Sequence, residues 1–230
     1  NTFANLDKSY QNIIKLFKKL VNKFGIDNNI ITKLKEFYNE YTKLFNLKIM
    51  SNCNDYSLSF FNEGCFKDID EISLKLKGIK SQFNQLEGFL ENQRAKVTLC
   101  HTDKEGYYLR TTKKAWNDIK DEDRKVVLSG DSECKLEHHI KDFEVSYNSN
   151  NVKLRCGAIN ILEKEEIKYM EILSELVHKE YKGVCKMFDD KYSEIIQKTC
   201  DIIGNIDVSV CGAIIASKYN YTKPIINFKN

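Results

Sequence analysis

Residues 105–114 read E-G-Y-Y-L-R-T-T-K-K. A glycine opens an aromatic, β-branched and basic run, and such a run reads as a strand. Its position decides the fold. The two longest helical patterns in the chain lie on either side of it. One helical arm leads to a small β-rich insert, and a second arm leads away.

The first arm is clearest over 67–94. Ile69, Ile72, Leu76, Ile79, Phe83, Leu86 and Leu90 alternate three- and four-residue steps, a heptad seam. At about 1.5 Å per residue such a helix would be roughly 42 Å long. The second arm covers about 158–203. Met170, Leu173, Val177, Tyr181, Val184 and Phe188 form one stripe that continues through Ile195 and Ile202. A kink is expected near Gly183, and a separate final helix over about 205–219, with Pro224 beyond it. Upstream, Tyr10, Ile13, Ile14, Phe17, Leu20, Val21 and Phe24 mark a helix over 7–25 that Gly25 ends. Leu34, Phe37, Tyr38, Tyr41, Leu44 and Phe45 mark another over 29–46, and S-N-C-N-D-Y-S then reads as a loop.

Between the arms the period falls to two. V-T-L-C-H, G-Y-Y-L-R-T-T, F-E-V-S-Y and N-V-K-L-R-C read as short strands, separated by D-K-E-G, S-G-D-S and N-S-N-N. A short helix is expected around Lys113–Ile119. The expected fold is mainly α with a small α+β insert. Helices of 1–95 lead in, 96–157 form the inserted domain, and 158–230 hold the returning helix and a last core helix. The simplest geometry is a pair of long antiparallel helices with the β-rich insert at the tip.

Composition narrows the function. The net charge of +3 is too small to argue for nucleic acid alone. Its distribution is uneven: residues 1–48 hold nine Lys against four acids, whereas 95–157 hold twelve bases against eleven acids. Only four of the 36 cations are Arg, which leaves few of the guanidinium forks that read guanine. No run of 18 uncharged apolar residues exists, so no membrane span is expected. The N-terminus has no apolar signal core. The eight cysteines form no C-x-x-C pair and read as reduced thiols in an intracellular chain. Cys185, Cys200 and Cys211 fall in helical patterns and read as small core residues.

Three stretches carry a family resemblance. F-N-E-G-C-F-K-D-I-D-E-I (61–72) resembles the x-x-G-x-x-x-x-L-D-E-L stretch that opens the lever helix in the MutS family of DNA mismatch-repair proteins. G-Y-Y-L-R-T-T-K (106–113) is similar to that family's G-Y-Y-I-x-V-[ST]-K clamp strand. I-D-V-S-V-C-G-A-I-I-A-S-K-Y-N-Y-T-K-P-I-I (206–226) resembles its L-D-V-L-x-S-L-A-x-x-A-x-x-x-N-Y-x-x-P stretch. The three occur in family order and span about 59–226. The resemblance implies lever helices carrying a clamp domain that grips double-stranded DNA by its backbone, in a dimer. It also implies an ATPase domain, with ATP and magnesium, beyond this region. No G-x-x-x-x-G-K-[ST] loop is present, so no cofactor is expected within these residues and the chain reads as the middle of a longer, DNA-dependent ATPase. The family's R-Q-T-x-x-N-A-E-R stretch is replaced by K-L-R-C-G-A-I-N-I-L, and 115–150 matches no known stretch. That divergence suits a viral or organellar branch. Phe61-Asn62-Glu63 spells the family's mismatch wedge, but inside the lever motif, and reads as coincidence.

The resemblance makes Lys104, Arg110, Lys113, Lys114, Lys153 and Arg155 the candidate phosphate partners. Cations near phosphates release condensed counterions and give salt-dependent affinity without base reading. Lys113, Lys114, Lys153 and Arg155 are favoured because strand pairing would join the two clusters. The bland reading of the same residues, with Lys120 and Lys125, is a solvated surface. Of Tyr107 and Tyr108, one ring is expected inside and one exposed.

Catalytic and metal readings are weak. His138 and His139 are adjacent and diverge on a strand, so with Glu137 and Cys134 nearby they read as surface. Cys100 and His101 likewise point apart, which disfavours a nucleophile pair. Asp70 and Glu71 suit the positive end of a helix. Asn220-Tyr221-Thr222 is a glycosylation sequon without a secretory route. A rival reading is a helical scaffold that binds a protein partner through the β insert. A hydrolase using the Cys and His residues is a third.

Overall fold

The computed structural model describes residues 2–222 except 25, 54, 55, 57, 92–95, 123, 124 and 129–135. Gly25, Cys134, Pro224 and the S-G-D-S turn lie outside the described residues, as do the side chains of Phe24, Glu137 and His138. The chain divides into two compact units. One comprises Asn1–Cys53, Phe60–Asn62 and Glu180–Asn230, and the other Asn54–Ser59 and Glu63–Lys179.

The first unit is helical. Helix α1 (Thr2–Phe24) buries Tyr10, Ile14 and Phe17, and α2 (Asn28–Leu44) buries Ile30, Ile31, Leu34, Phe37 and Tyr41. Asp27 caps α2 by accepting the Asn29 N–H at 2.9 Å. Phe45 then leaves the helix and forms an isolated bridge with Phe61. The chain turns into α3 (Leu47–Asn52), capped by Asn46, whose side chain accepts the Ile49 N–H at 3.2 Å. The second helix thus ends before the expected 46, and a new helix covers Leu47–Asn52, taking in Ser51 and Asn52 of the stretch read as a loop. The break is a capping event, which apolar spacing does not register. Phe37, Tyr41, Phe45, Phe188 and Tyr192 pack ring against ring, and Tyr10 stacks on Tyr38 at 4.0 Å.

The second unit holds all the strands among the described residues. Helix α4 (Lys67–Leu90) leads in. Strands β1 (Thr98–Thr102) and β2 (Gly106–Thr112) form a hairpin, and α5 (Lys113–Ile119) follows. Strands β3 (Lys125–Leu128) and β4 (Leu136–His139) pair as a separate two-stranded sheet. After a 3-10 turn (Ile140–Asp142), β5 (Glu144–Tyr147) and β6 (Asn151–Arg155) complete an antiparallel four-stranded sheet of order β1-β2-β6-β5. The four strands and the short helix legible in the sequence are present. The β3–β4 pair was not, because neither K-V-V-L nor L-E-H-H alternates apolar and polar residues. One apolar cluster joins Ile79, Phe83, Leu86 and Leu90 of α4, Leu109, Val152 and Leu154 of the sheet, Trp116 of α5, and Ile159 and Leu162 of the next helix.

That next helix, α6, runs unbroken from Gly157 to Tyr219. At about 1.5 Å per residue its 63 residues make it roughly 95 Å long. The helix does not break at Gly183, and no separate final helix exists. A glycine in a helix interior costs about 1 kcal/mol relative to alanine. Burying Leu173, Val177, Val184, Phe188, Tyr192 and Ile206 along one stripe outweighs it. Met170 falls off that stripe and is exposed. Cys185 is half-buried, and Cys200 and Cys211 are exposed, so these three are not core residues. Beyond Ile206 the helix presents Val208, Val210, Ile214, Ile215 and Tyr219 to the outside. By length and composition α6 contains a stretch apolar enough to cross a membrane, with mean hydropathy 1.5 and only 11% burial. Counting uncharged residues misses it, because Asp201 and Asp207 interrupt that part of the helix.

Candidate nucleic-acid interface

Strand pairing decides which cations meet. In β2, Leu109 and Thr111 face the core, and Thr111 Oγ1 donates to the Lys96 carbonyl at 2.9 Å. Tyr108 and Arg110 therefore face the other way. In β6, Val152 and Leu154 face inward and Lys153 and Arg155 outward. Arg110 lies opposite Lys153, which lies opposite Ser146 on β5; Glu144 lies opposite Arg155. The outer face of the sheet thus gathers Arg110, Lys153 and Arg155 around Tyr108.

These cations differ in availability. Arg110 is exposed. Lys153 is engaged: its ammonium pairs with Glu105 in the β1–β2 turn and lies 4.8 Å from the Tyr108 ring centroid. Its side chain is 23% exposed. The hydrogen bond from Lys153 holds the Glu105 carboxyl below the usual carboxylate range, assisted by the charges of Lys153 and Arg155 and opposed by desolvation. Arg155 is half-buried, and its Nη2 has no hydrogen-bond partner. A buried guanidinium N–H without an acceptor is costly.

Lys104, Lys113 and Lys114 are all exposed. Lys104 sits in the β1–β2 turn, where the Glu105 N–H donates to the Thr102 carbonyl at 3.2 Å. Lys113 and Lys114 open α5, whose cap is Thr112 Oγ1 accepting the Ala115 N–H at 3.2 Å. Thr112 pairs with Asn151, so pairing brings Arg110, and not Lys113 or Lys114, beside Lys153. The tyrosines also differ from expectation. Tyr108 is 7% exposed although it lies on the outer face, because Lys153 covers its ring, and Tyr107 is half-buried on the inner face. Neither offers a free ring for stacking on a base. The acid partner of Lys153 was missed in the sequence. Glu105 lies 48 residues away, and only the sheet joins them.

Other candidates have structural partners. Asp70 accepts the Gly64 N–H at 2.9 Å. Phe61 is buried, Asn62 donates to the Thr42 and Lys43 carbonyls, and Glu63 pairs with Lys77 at 3.0 Å. Cys100 and His101 lie opposite Tyr108 and Tyr107 respectively, on opposite faces of β1. The His139 N–H donates to Asp142 at 3.0 Å. Among the described residues no three His, Cys, Asp or Glu side chains cluster to hold a metal.

No family model matches the chain. A DNA mismatch repair protein mutS homologue of Acanthamoeba polyphaga mimivirus is 23% identical over 254 aligned residues, covering 99% of this chain. A mitochondrial DNA mismatch repair protein mutS homologue of Sarcophyton glaucum is 23% identical over 227 residues, covering 95%. The chain spans about a fifth of the length of each, 22% and 21%. At a distance, and along nearly its whole length, this chain resembles the MutS family of DNA mismatch-repair proteins.

Proposed function

We propose that this chain is the lever and clamp region of a MutS-like mismatch repair protein. The 96–157 insert holds double-stranded DNA by its backbone, and the long helices on either side carry motion between it and an ATPase domain of the parent protein. The reading rests on one observation: similarity to two named mismatch repair homologues spans 95–99% of the chain. The chain does no chemistry itself. ATP and magnesium belong to the parent's ATPase domain, the parent works as a dimer, and it acts inside a cell, organelle or virus rather than at a membrane. Lys104, Arg110, Lys113, Lys114, Lys153 and Arg155 meet phosphates. Readiness differs among them, because Lys153 must first leave Glu105.

A direct test measures binding of the 230-residue chain to duplexes of unrelated sequence over a range of salt. The slope of log affinity against log salt changes by about 0.9 for each phosphate contact. Lys113→Ala with Lys114→Ala should flatten it by roughly two contacts, equally on every duplex. Glu105→Gln should instead tighten binding and steepen the slope by about one contact, because it releases Lys153. A slope unchanged in both variants, or affinity that follows sequence, would remove the clamp reading.

A further inference from the structure

Two amides of the β1–β2 hairpin lack strand partners. Pairing alternates along an antiparallel ladder. Leu99 and Tyr107 fall where the N–H points away from the other strand of the hairpin, as their actual acceptors show. The Leu99 N–H, on the sheet edge, donates to Glu87 Oε1 of α4 at 3.0 Å. The Tyr107 N–H points towards β6, which has already ended at Arg155, and donates to Glu163 Oε1 of α6 at 3.2 Å.

Tyr107 is held at two further points. Its hydroxyl interacts with the Glu166 carboxylate, one turn along α6 from Glu163. Burial first, then that interaction and the charges of Glu166 and Glu163, push the phenol up to about 12. Glu166 is only 7% exposed, unusual for a carboxylate. The Tyr107 ring packs on Phe83 of α4 with centroids 4.6 Å apart. Gly106 explains how Glu163 comes so close. It has φ +67, and a Cβ there would lie 2.2 Å from Glu163 Oε1. A side chain at 106 would be strained in the backbone and would also displace the carboxylate.

We propose that Tyr107 is a mechanical joint: Glu163 and Glu166 latch it to α6 and Phe83 seats it on α4, so that the β1–β2 hairpin moves as one body with both helices. Glu87 supplies the matching latch on β1. The backbone of an edge strand and one tyrosine of the strand beside it are thereby tied to two helices through side chains. The joint stands whether or not the sheet binds DNA, since none of its groups lies on the basic face.

Amide exchange of the full 230-residue chain, followed in peptides covering 97–112, tests it. Losing a hydrogen bond of ordinary strength should speed local opening about five- to tenfold. Tyr107→Phe and Glu166→Leu should each do so, and the double variant should open no faster than either alone, because they remove the same interaction. Glu163→Ala should speed exchange at least as much, while Glu171→Gln, exposed on α6, should leave it unchanged. Protection in peptides covering 144–155, in the same unit, reports that this unit is still folded. Rates within about twofold of the parent for both single variants, or effects that multiply in the double variant, would overturn the joint.

Discussion

Lys153 shows how one residue changes meaning between sequence and structure. On β6 it alternates outward and reads as a free cation. In the fold its ammonium lies between Glu105 and the Tyr108 ring. Because the Glu105 carboxyl is held below its ordinary range, the pair stabilises the fold above that range, and the contribution is lost as pH falls through the depressed value. Lys153→Met keeps the aliphatic stem and removes the charge. Its Glu105 carboxyl, followed by NMR titration, should return upward towards the ordinary carboxylate value. The stability gap between this variant and the parent should be constant at neutral pH and close in acid. An unmoved Glu105 titration would show that the pair does not hold in solution. Arg155 is the complementary case. It has a donor to spare, which no sequence pattern reveals, because its emptiness depends on which carbonyls surround it.

At the scale of elements, α6 is the clearest lesson. The apolar stripe announced a helix, with a kink expected near Gly183 and a separate helix from about 205. Gly183 and Gly204 are both helical, and a Cβ at either would meet nothing within 4 Å. Gly183→Ala should therefore stabilise the chain by about 0.5–1 kcal/mol, through lower backbone freedom in the unfolded state. Thermal denaturation checks this, and a lowered midpoint would mean that Gly183 is under strain in solution. Helix α3 errs in the opposite direction. It needed a cap at Asn46 and a buried Met50, and a six-residue helix is too short to show a period. The β3–β4 pair was hidden because neither of its strands alternates apolar and polar residues. Short elements are fixed by their partners, whereas long ones declare themselves.

The whole chain has a separate apolar cluster in each unit. Leu86 is fully buried in the cluster of the sheet-bearing unit. Leu86→Ala should cost about 2–5 kcal/mol, since a cavity adds to the lost transfer energy. Amide exchange should rise through the sheet and α4, while peptides of α1 and α2, whose cluster is built on Tyr10, Phe17 and Leu34, keep their protection. Equal loss in both units would mean that they unfold as one. The sequence by itself determined the α-dominated class, the long arms, four of the six strands among the described residues and the family resemblance, because hydrophobic period and short motifs are local properties of the chain. The tertiary structure alone decided that Arg110 rather than Lys113 stands beside Lys153, that Glu105 occupies that lysine, and that Tyr107 is tied to both helices. These depend on strand register and on contacts between residues tens of positions apart, and local pattern carries no record of either.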